Sequence, residues 1–328
     1  MIHPWLEPAW ERLQERRAQG RLPHGLLITG PAGIGKGELA RGLAQALLCE
    51  SPDARGMACG SCHGCRLFLA GNHPDYQQLV PEEEGKPIKV DQVRGLIEFM
   101  ALSRQYERYK LAIIEPAEAM NVNAANSLLK TLEEPAAGTL LLLVTAQPSL
   151  LPPTIRSRCQ RIDLRRPSPE AGLAWLREQS PQGDAEQLLA AAHHAPLLAL
   201  AMDRDGLLET QSRYFDQLMD VLRGRESLTA MAEQWHKADP GAQLAWQIDW
   251  VDAMLRLLAA GRMDLDPKKA QVLQRLAPIM GSQGLFDLRD QLIQYRRMAS
   301  ANLNTQLLLE DVIQAWAHTL DRGRRQSA

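Results

Sequence analysis

The sequence predicts an α/β domain built on a parallel sheet, followed by a region that is helical nearly to its end. Three observations predict it. Short apolar runs at residues 26–28, 111–114 and 140–145 alternate with helical patterns, as buried parallel strands do with the helices that cover them. A glycine-rich loop, GPAGIGKG at 30–37, leads from the first run into a helix carrying Leu39, Leu43 and Leu47 at four-residue spacing. Beyond about residue 167 strand signals stop and only amphipathic helical periodicity continues.

Residues 1–24 read as a short helix with Trp10 and Leu13 on one face and Arg16 and Arg17 near its end, leading to His24. Strand, loop and helix then form a phosphate-binding loop. Gly30, Gly33 and Gly35 let the backbone curl so that its amides point inward, and Lys36 supplies a point charge for β- and γ-phosphates. The pattern normally closes with Ser or Thr, whose hydroxyl ligates Mg²⁺; here Gly37 stands in that place. These residues therefore make a degenerate nucleotide site, with phosphate binding left open and hydrolysis unsupported.

Four of the five cysteines follow: Cys49, Cys59, Cys62 and Cys65. Two overlapping CxxC knuckles plus a cysteine at the end of the preceding helix can give four thiolates to one tetrahedral, structural Zn²⁺. Gly60 and Gly64 suit the turns of such knuckles. A redox CxxC pair, or His63 in place of one thiolate, are the alternatives. Residues 72–76 are turn chemistry entering a short strand near 77–80, and 81–87 read as an exposed loop. Val90, Val93, Ile97 and Met100 mark a helix face. The 121–133 segment reads as a helix stopped by Pro135, with Val122, Ala125, Leu128 or Leu129, and Leu132 inward.

The strand at 111–114 ends in Glu115-Pro116. Hydrolysing P-loop proteins of the ring-forming kind place Asp-Glu at such a strand end, to hold Mg²⁺ and to polarise the attacking water. Glu115 can hold a metal, Pro116 cannot act as a base, and Glu118 lies two residues too far along. Two groups needed for one reaction are thus missing together. The segment 154–159 ends in Ser157-Arg158-Cys159. An arginine here can be a finger projected onto a neighbour's γ-phosphate, since guanidinium is planar, always charged and multiply donating; a surface salt bridge is the plain alternative. Cys159 reads as a small buried apolar residue.

Pro167, Pro169 and Pro181 break up short segments, consistent with a small helical lid to about 207. About five amphipathic helices are expected from 208 to 321, one presenting Leu244, Ile248, Val251, Leu255 and Leu258 along a single face. Residues 302–309 read equally as a last packing helix or plain core, and the arginine-rich 322–325 as a solvated end. No repeat of 20–50 residues marks a solenoid. The expected division is 1–166 with the cysteine insertion at 49–65, then 167–207, then 208–328.

Composition narrows the function. With 328 residues, 45% of them hydrophobic, the chain can bury more than one core, and no apolar run has membrane-spanning length. The N-terminus carries no secretory signal, so the expectation is a cytoplasmic protein. A net charge of −2 gives no electrostatic reason for tight, sequence-independent DNA binding by this chain alone.

GPAGIGKG, the four-cysteine insertion, HPDY (73–76), ANSLLKTLEEP (125–135) and SRC (157–159) together resemble the delta-prime family of bacterial DNA polymerase III clamp-loader subunits, within the AAA+ superfamily. The motifs cover about the first 165 residues; the helical remainder fits the family's order without a signature of its own. The resemblance implies an AAA+ module, a three-helix lid and an all-α C-terminal collar joining subunits into a hetero-pentameric ring. Partners implied are the gamma/tau ATPase subunits and the delta subunit, with the sliding clamp and primed DNA met through the complex. It also implies a non-hydrolysing stator in which Arg158 is a trans-acting finger, the four cysteines hold zinc, and residues 30–36 form a degenerate site. The Gly37, Glu115-Pro116 and Ala195-Pro196-Leu197-Leu198 positions depart from active members, which carry a hydroxyl, Asp-Glu and a lid arginine there. Two other classes stay open: an autonomous ATPase using Glu115 and Glu118, and a zinc-dependent nucleic-acid module for which Arg55, Arg66 and Phe68 are a thin endowment.

Overall fold

In the computed structural model, residues 2–83, 85–106, 108–263, 265–299 and 304–327 are described. They form two units, Met1–Trp175 with His194–Leu198, and Leu176–His193 with Ala199–Ala328.

The first unit holds a five-stranded parallel sheet: β1 (Gly25–Thr29), β2 (Tyr76–Leu79), β3 (Lys110–Ile114), β4 (Thr139–Thr145) and β5 (Gln160–Asp163), in the order β2-β3-β4-β1-β5. Its helices are α1 (Glu7–Ala18), α2 (Lys36–Leu48), α3 (His63–Leu69), α4 (Val90–Ala101), α5 (Val122–Glu133) and α6 (Pro153–Arg158). The central strands are apolar on both faces because both are covered. Leu26, Ile28, Leu111, Ile113 and Leu142 join a core with α1 and α2, whereas Leu27, Ala112, Ile114, Leu141 and Leu143 join another with α4 and α5. That alternation is the two-residue period of a strand, hidden in sequence by the absence of polar positions.

Three elements escaped the sequence reading. β5 is an edge strand in which only Ile162 is buried, and α3 and α6 are too short to display a period. One inward assignment is corrected: Val122 is 69% exposed. It opens α5, where Asn121 caps by accepting from the Ala124 amide at 2.9 Å, while Ala125, Leu128 and Leu132 are buried as expected.

α7 (Pro169–Glu178) and α9 (Pro196–Arg204) run across the division between the units, and α8 (Ala185–Ala191) belongs to the second. The second unit continues with α10 (Leu207–Leu222), α11 (Leu228–Trp235), α12 (Pro240–Ala260), α13 (Pro267–Met298) and α14 (Thr305–Ser327). α13 breaks at Gly281, which takes a φ of 67° just beyond Pro278. Leu244, Ile248 and Val251 are buried as predicted, but Leu258 is 40% exposed because α12 outruns the core near its end. A buried polar chain runs through this core: Trp316 Nε1 donates to Gln247 Oε1 at 2.7 Å, and Gln247 Nε2 donates to Tyr214 Oη at 2.9 Å. Residues 304–309 enter α14, whereas Asn302 and Leu303 lie outside the described residues. Residues 322–325 are helical rather than a loose end, and Arg322 pairs with Asp287 at 2.6 Å. No described helix is long and apolar enough to cross a membrane.

Candidate functional site

The loop between β1 and α2 has the backbone that its glycines predict, with Gly33 at a φ of +71° and Gly35 at +92°. Its carbonyls, however, are taken by the protein. Lys36 is 8% exposed, and its ammonium turns back to the Pro31 carbonyl at 2.6 Å. Burial lowers its pKa, against the pull of Glu118 and Glu115. The Leu197 amide donates to the Gly33 carbonyl at 3.0 Å, and Trp5 Nε1 to the Ile34 carbonyl at 2.8 Å. Leu198 rests directly on the loop: a Cβ at Gly33 would stand 2.8 Å from the Leu198 nitrogen and nearer still to its Cβ. His3 stacks on Trp5 with ring centroids 4.9 Å apart, and Trp175 meets both edge-on. A side chain at Gly35 would collide with that His3 ring at 2.8 Å.

The place of the missing hydroxyl is filled as well. A Cβ on Gly37 would lie 2.6 Å from Glu115 Oε2 and closer to Oε1, so serine or threonine cannot enter without displacing the carboxylate. Glu115 accepts from Arg41 Nη1 at 3.0 Å. Burial pushes its pKa up, with Arg41 acting against the shift. Glu118 turns to the loop after β4, accepting from the Ala146 amide at 3.0 Å, while its Oε2 is buried without a hydrogen-bond partner. The two carboxylates of the autonomous-ATPase reading therefore serve an arginine and a backbone amide. Arg41 was missed in the sequence: 74 residues separate it from Glu115, and on a helix it reads as an ordinary surface charge.

Arg158 ends α6, 34% exposed at its side chain. Nε donates to Glu133 Oε1 at 2.8 Å, Nη2 pairs with the same carboxylate, and Nη1 donates to the Thr154 carbonyl at 3.0 Å. It is salt-bridged and partly accessible, which is the geometry of the salt-bridge reading. Cys159 is buried, and desolvation pushes its thiol up to about 11, as an inert apolar residue requires.

Cys49, Cys59, Cys62 and Cys65 come together, with all four Sγ atoms within 4.8 Å of one another. Tetrahedral thiolates on Zn²⁺ at ~2.3 Å stand about 3.8 Å apart, so the cluster fits such an ion with small contraction. The backbone is already folded around the sulfurs. Cys59 Sγ accepts from the Cys62 amide at 3.3 Å, Cys62 Sγ from the Cys65 amide at 3.4 Å, and Cys49 Sγ from the Cys59 amide at 3.3 Å. Amides of Ser61 and Cys62 hold the Cys59 thiol down to about 6, while desolvation pushes Cys65 up to about 12. Four thiols packed this closely cannot all ionise without a cation among them. Gly64 is needed for close approach rather than for a turn, since a Cβ there would stand 2.6 Å from the Leu48 carbonyl oxygen. His63 is engaged with the Tyr106 hydroxyl at 3.2 Å and does not replace a thiolate.

A neighbouring feature explains HPDY. Asp75, fully buried, accepts from the amides of Gln105 and Tyr106, each at 2.9 Å, and from Lys110 at 3.3 Å. It pins the 103–106 segment beside the cysteine cluster, where Tyr106 meets both His63 and His73. Around the cluster, Phe68 packs on Tyr76 and Arg55 pairs with Glu7.

Comparison with known proteins gives a consistent result. Residues 5–168 match the family profile described as DNA polymerase III, delta subunit, and residues 206–318 match that of its C-terminal region. DNA polymerase III subunit delta' of Pseudomonas aeruginosa is 40% identical over 325 residues, covering 96% of this chain and 97% of the relative. The protein of the same name from Escherichia coli is 32% identical over 332 residues, covering 98% and 97%. That from Haemophilus influenzae is 34% identical over 267 residues, covering 81% and 79%.

Proposed function

This chain belongs to the delta-prime family of DNA polymerase III subunits, and from that premise we propose that it is a non-hydrolysing stator in the ring that loads the sliding clamp onto primed DNA. The observation that carries the reading is the Glu115 carboxylate, seated against Gly37 and paired with Arg41 where a hydrolytic site would hold Mg²⁺. With Leu198 on Gly33 and Lys36 turned to Pro31, the phosphate loop works as scaffold. Arg158 is then the finger for a neighbouring ATPase subunit, supported by its exposure at the end of α6, just before β5 and at the opposite end of β1 from the phosphate loop. In a finger the guanidinium stabilises charge developing on the transferring phosphoryl group, a task that needs none of this chain's own nucleotide chemistry. The helices from 208 onward are read as the collar that joins it to gamma/tau and delta subunits, and 167–207 as the lid.

The four cysteines are read as a closed structural zinc site. Zinc would supply charge for the four thiolates and cross-link the insertion; Cys49 and Cys65 are the buried ligands and Cys59 the exposed one. Metal analysis of purified protein should give about one zinc per chain. Chelation should render residues 50–64 cleavable by protease while the strands stay protected; protein lacking metal, with an unchanged digestion pattern, excludes the site.

The stator reading is tested by reconstitution with the ATPase subunits. The chain alone should hydrolyse no ATP in Mg²⁺, and its addition should raise the DNA- and clamp-stimulated rate of its partners. Turnover by the lone chain, or an assembly indifferent to it, contradicts the reading.

A further inference from the structure

Arg158 is already held by its own chain before any neighbour approaches. Its Nε and Nη2 both meet Glu133, the last residue of α5, and Nη1 meets the Thr154 carbonyl, with Ser157 Oγ at 3.5 Å. Nε and Nη2 form the side edge of the planar fork; the end between Nη1 and Nη2 is a second edge that can receive another anion. Arg156, two residues earlier on the same helix, has no such clasp among the described residues.

Stability does not account for the contact. Glu133 is 49% exposed and Arg158 34%, and an exposed pair of this kind contributes ~0–1 kcal/mol. α5 and α6 are joined instead by apolar packing in which Leu128, Leu132 and Ile155 are buried. What the clasp does supply is order. An unheld arginine samples many rotamers and must be fixed as it meets its target, whereas a pre-oriented fork meets it in place.

We infer that Glu133 is a positioning residue for Arg158: by holding the Nε edge it sets the guanidinium plane, so that the Nη1–Nη2 end faces the γ-phosphate of a neighbouring subunit's nucleoside triphosphate. This inference rests on the finger reading given above. Glu133 touches neither nucleotide nor water in it and acts only through Arg158.

The test uses the reconstituted ring with its other hydrolytic sites inactivated, so that only the site facing Arg158 turns over. ATP dependence of the rate is measured for Glu133→Ala, Glu133→Gln, Arg158→Ala and the double Glu133→Ala/Arg158→Ala, after melting curves establish that each chain is folded. Glu133→Ala should lower kcat about tenfold, inside the ~10²-fold that a 1 Å misplacement can cost, with KM for ATP little changed. Glu133→Gln, which keeps an acceptor oxygen, should recover part of the loss. The double variant should be no slower than Arg158→Ala alone. An unchanged or raised kcat in Glu133→Ala, or losses that add in the double variant, overturns the inference while leaving the finger intact. If Arg158→Ala itself turns over normally, the finger reading and this inference fall together.

Discussion

The phosphate loop and the end of α6 lie in the same unit and use the same kinds of groups, yet they treat charge in opposite ways. At the loop, cations and anions are spent on each other or on the backbone: Lys36 on Pro31, Arg41 on Glu115, Glu118 on the Ala146 amide. At α6, Arg158 meets Glu133 through Nε and Nη2 and the Thr154 carbonyl through Nη1, with its side chain still 34% exposed. The difference teaches where to look for function in a domain that keeps a nucleotide-binding shape. Lys36, 8% exposed, is committed to the fold; Arg158, 34% exposed at its side chain, stands where another chain can meet it.

The sharpest way to break the contrast is Arg158→Ala. In a ring where the facing site is the only active one, hydrolysis should fall by about 10³ or more, as for loss of an arginine finger elsewhere, with the chain's melting temperature almost unmoved. A normal rate would make Arg158 a surface ion pair and no more, like Arg41 with Glu115. Next in size is Gly37→Thr, which drives a branched side chain into Glu115. Because the clash is with the end of a flexible side chain in a partly exposed ion pair, the cost should stay within about 1 kcal/mol, seen as a slightly lowered denaturation midpoint, and Glu115→Ala in the same chain should remove the clash. A stable Gly37→Thr protein that binds Mg²⁺-ATP would mean that the loop is a working site after all. The smallest expected effect is that of Lys36→Met, which keeps the buried stem and removes the ammonium. The ring's rate should change by less than about twofold, against the orders of magnitude lost when a transition-state cation is removed from an active centre.

Much of this was legible in the sequence. The three central strands showed as apolar runs because parallel strands covered on both faces have no polar positions to interrupt them. The cysteines showed because metal-ligand spacing is local, and Ser157-Arg158-Cys159 because its position follows a recognisable strand. Contacts of long sequence separation did not show. Nothing at Arg41 announces Glu115, nothing at Leu198 announces Gly33, and nothing at Glu133 announces Arg158, since each pairing is made by the fold and not by a spacing. Val122 failed for a different reason: at the first turn of a helix a cap such as Asn121 sets the geometry, and the inward stripe begins one turn later.

Gly37 and Glu115 also constrain each other. A hydroxyl side chain at position 37 has to push the Glu115 carboxylate aside; removing that carboxylate leaves Arg41 with Glu38 and water. Positions 37 and 115 are therefore coupled: what stands at one decides where the side chain at the other can go, and neither can be changed without the other registering it.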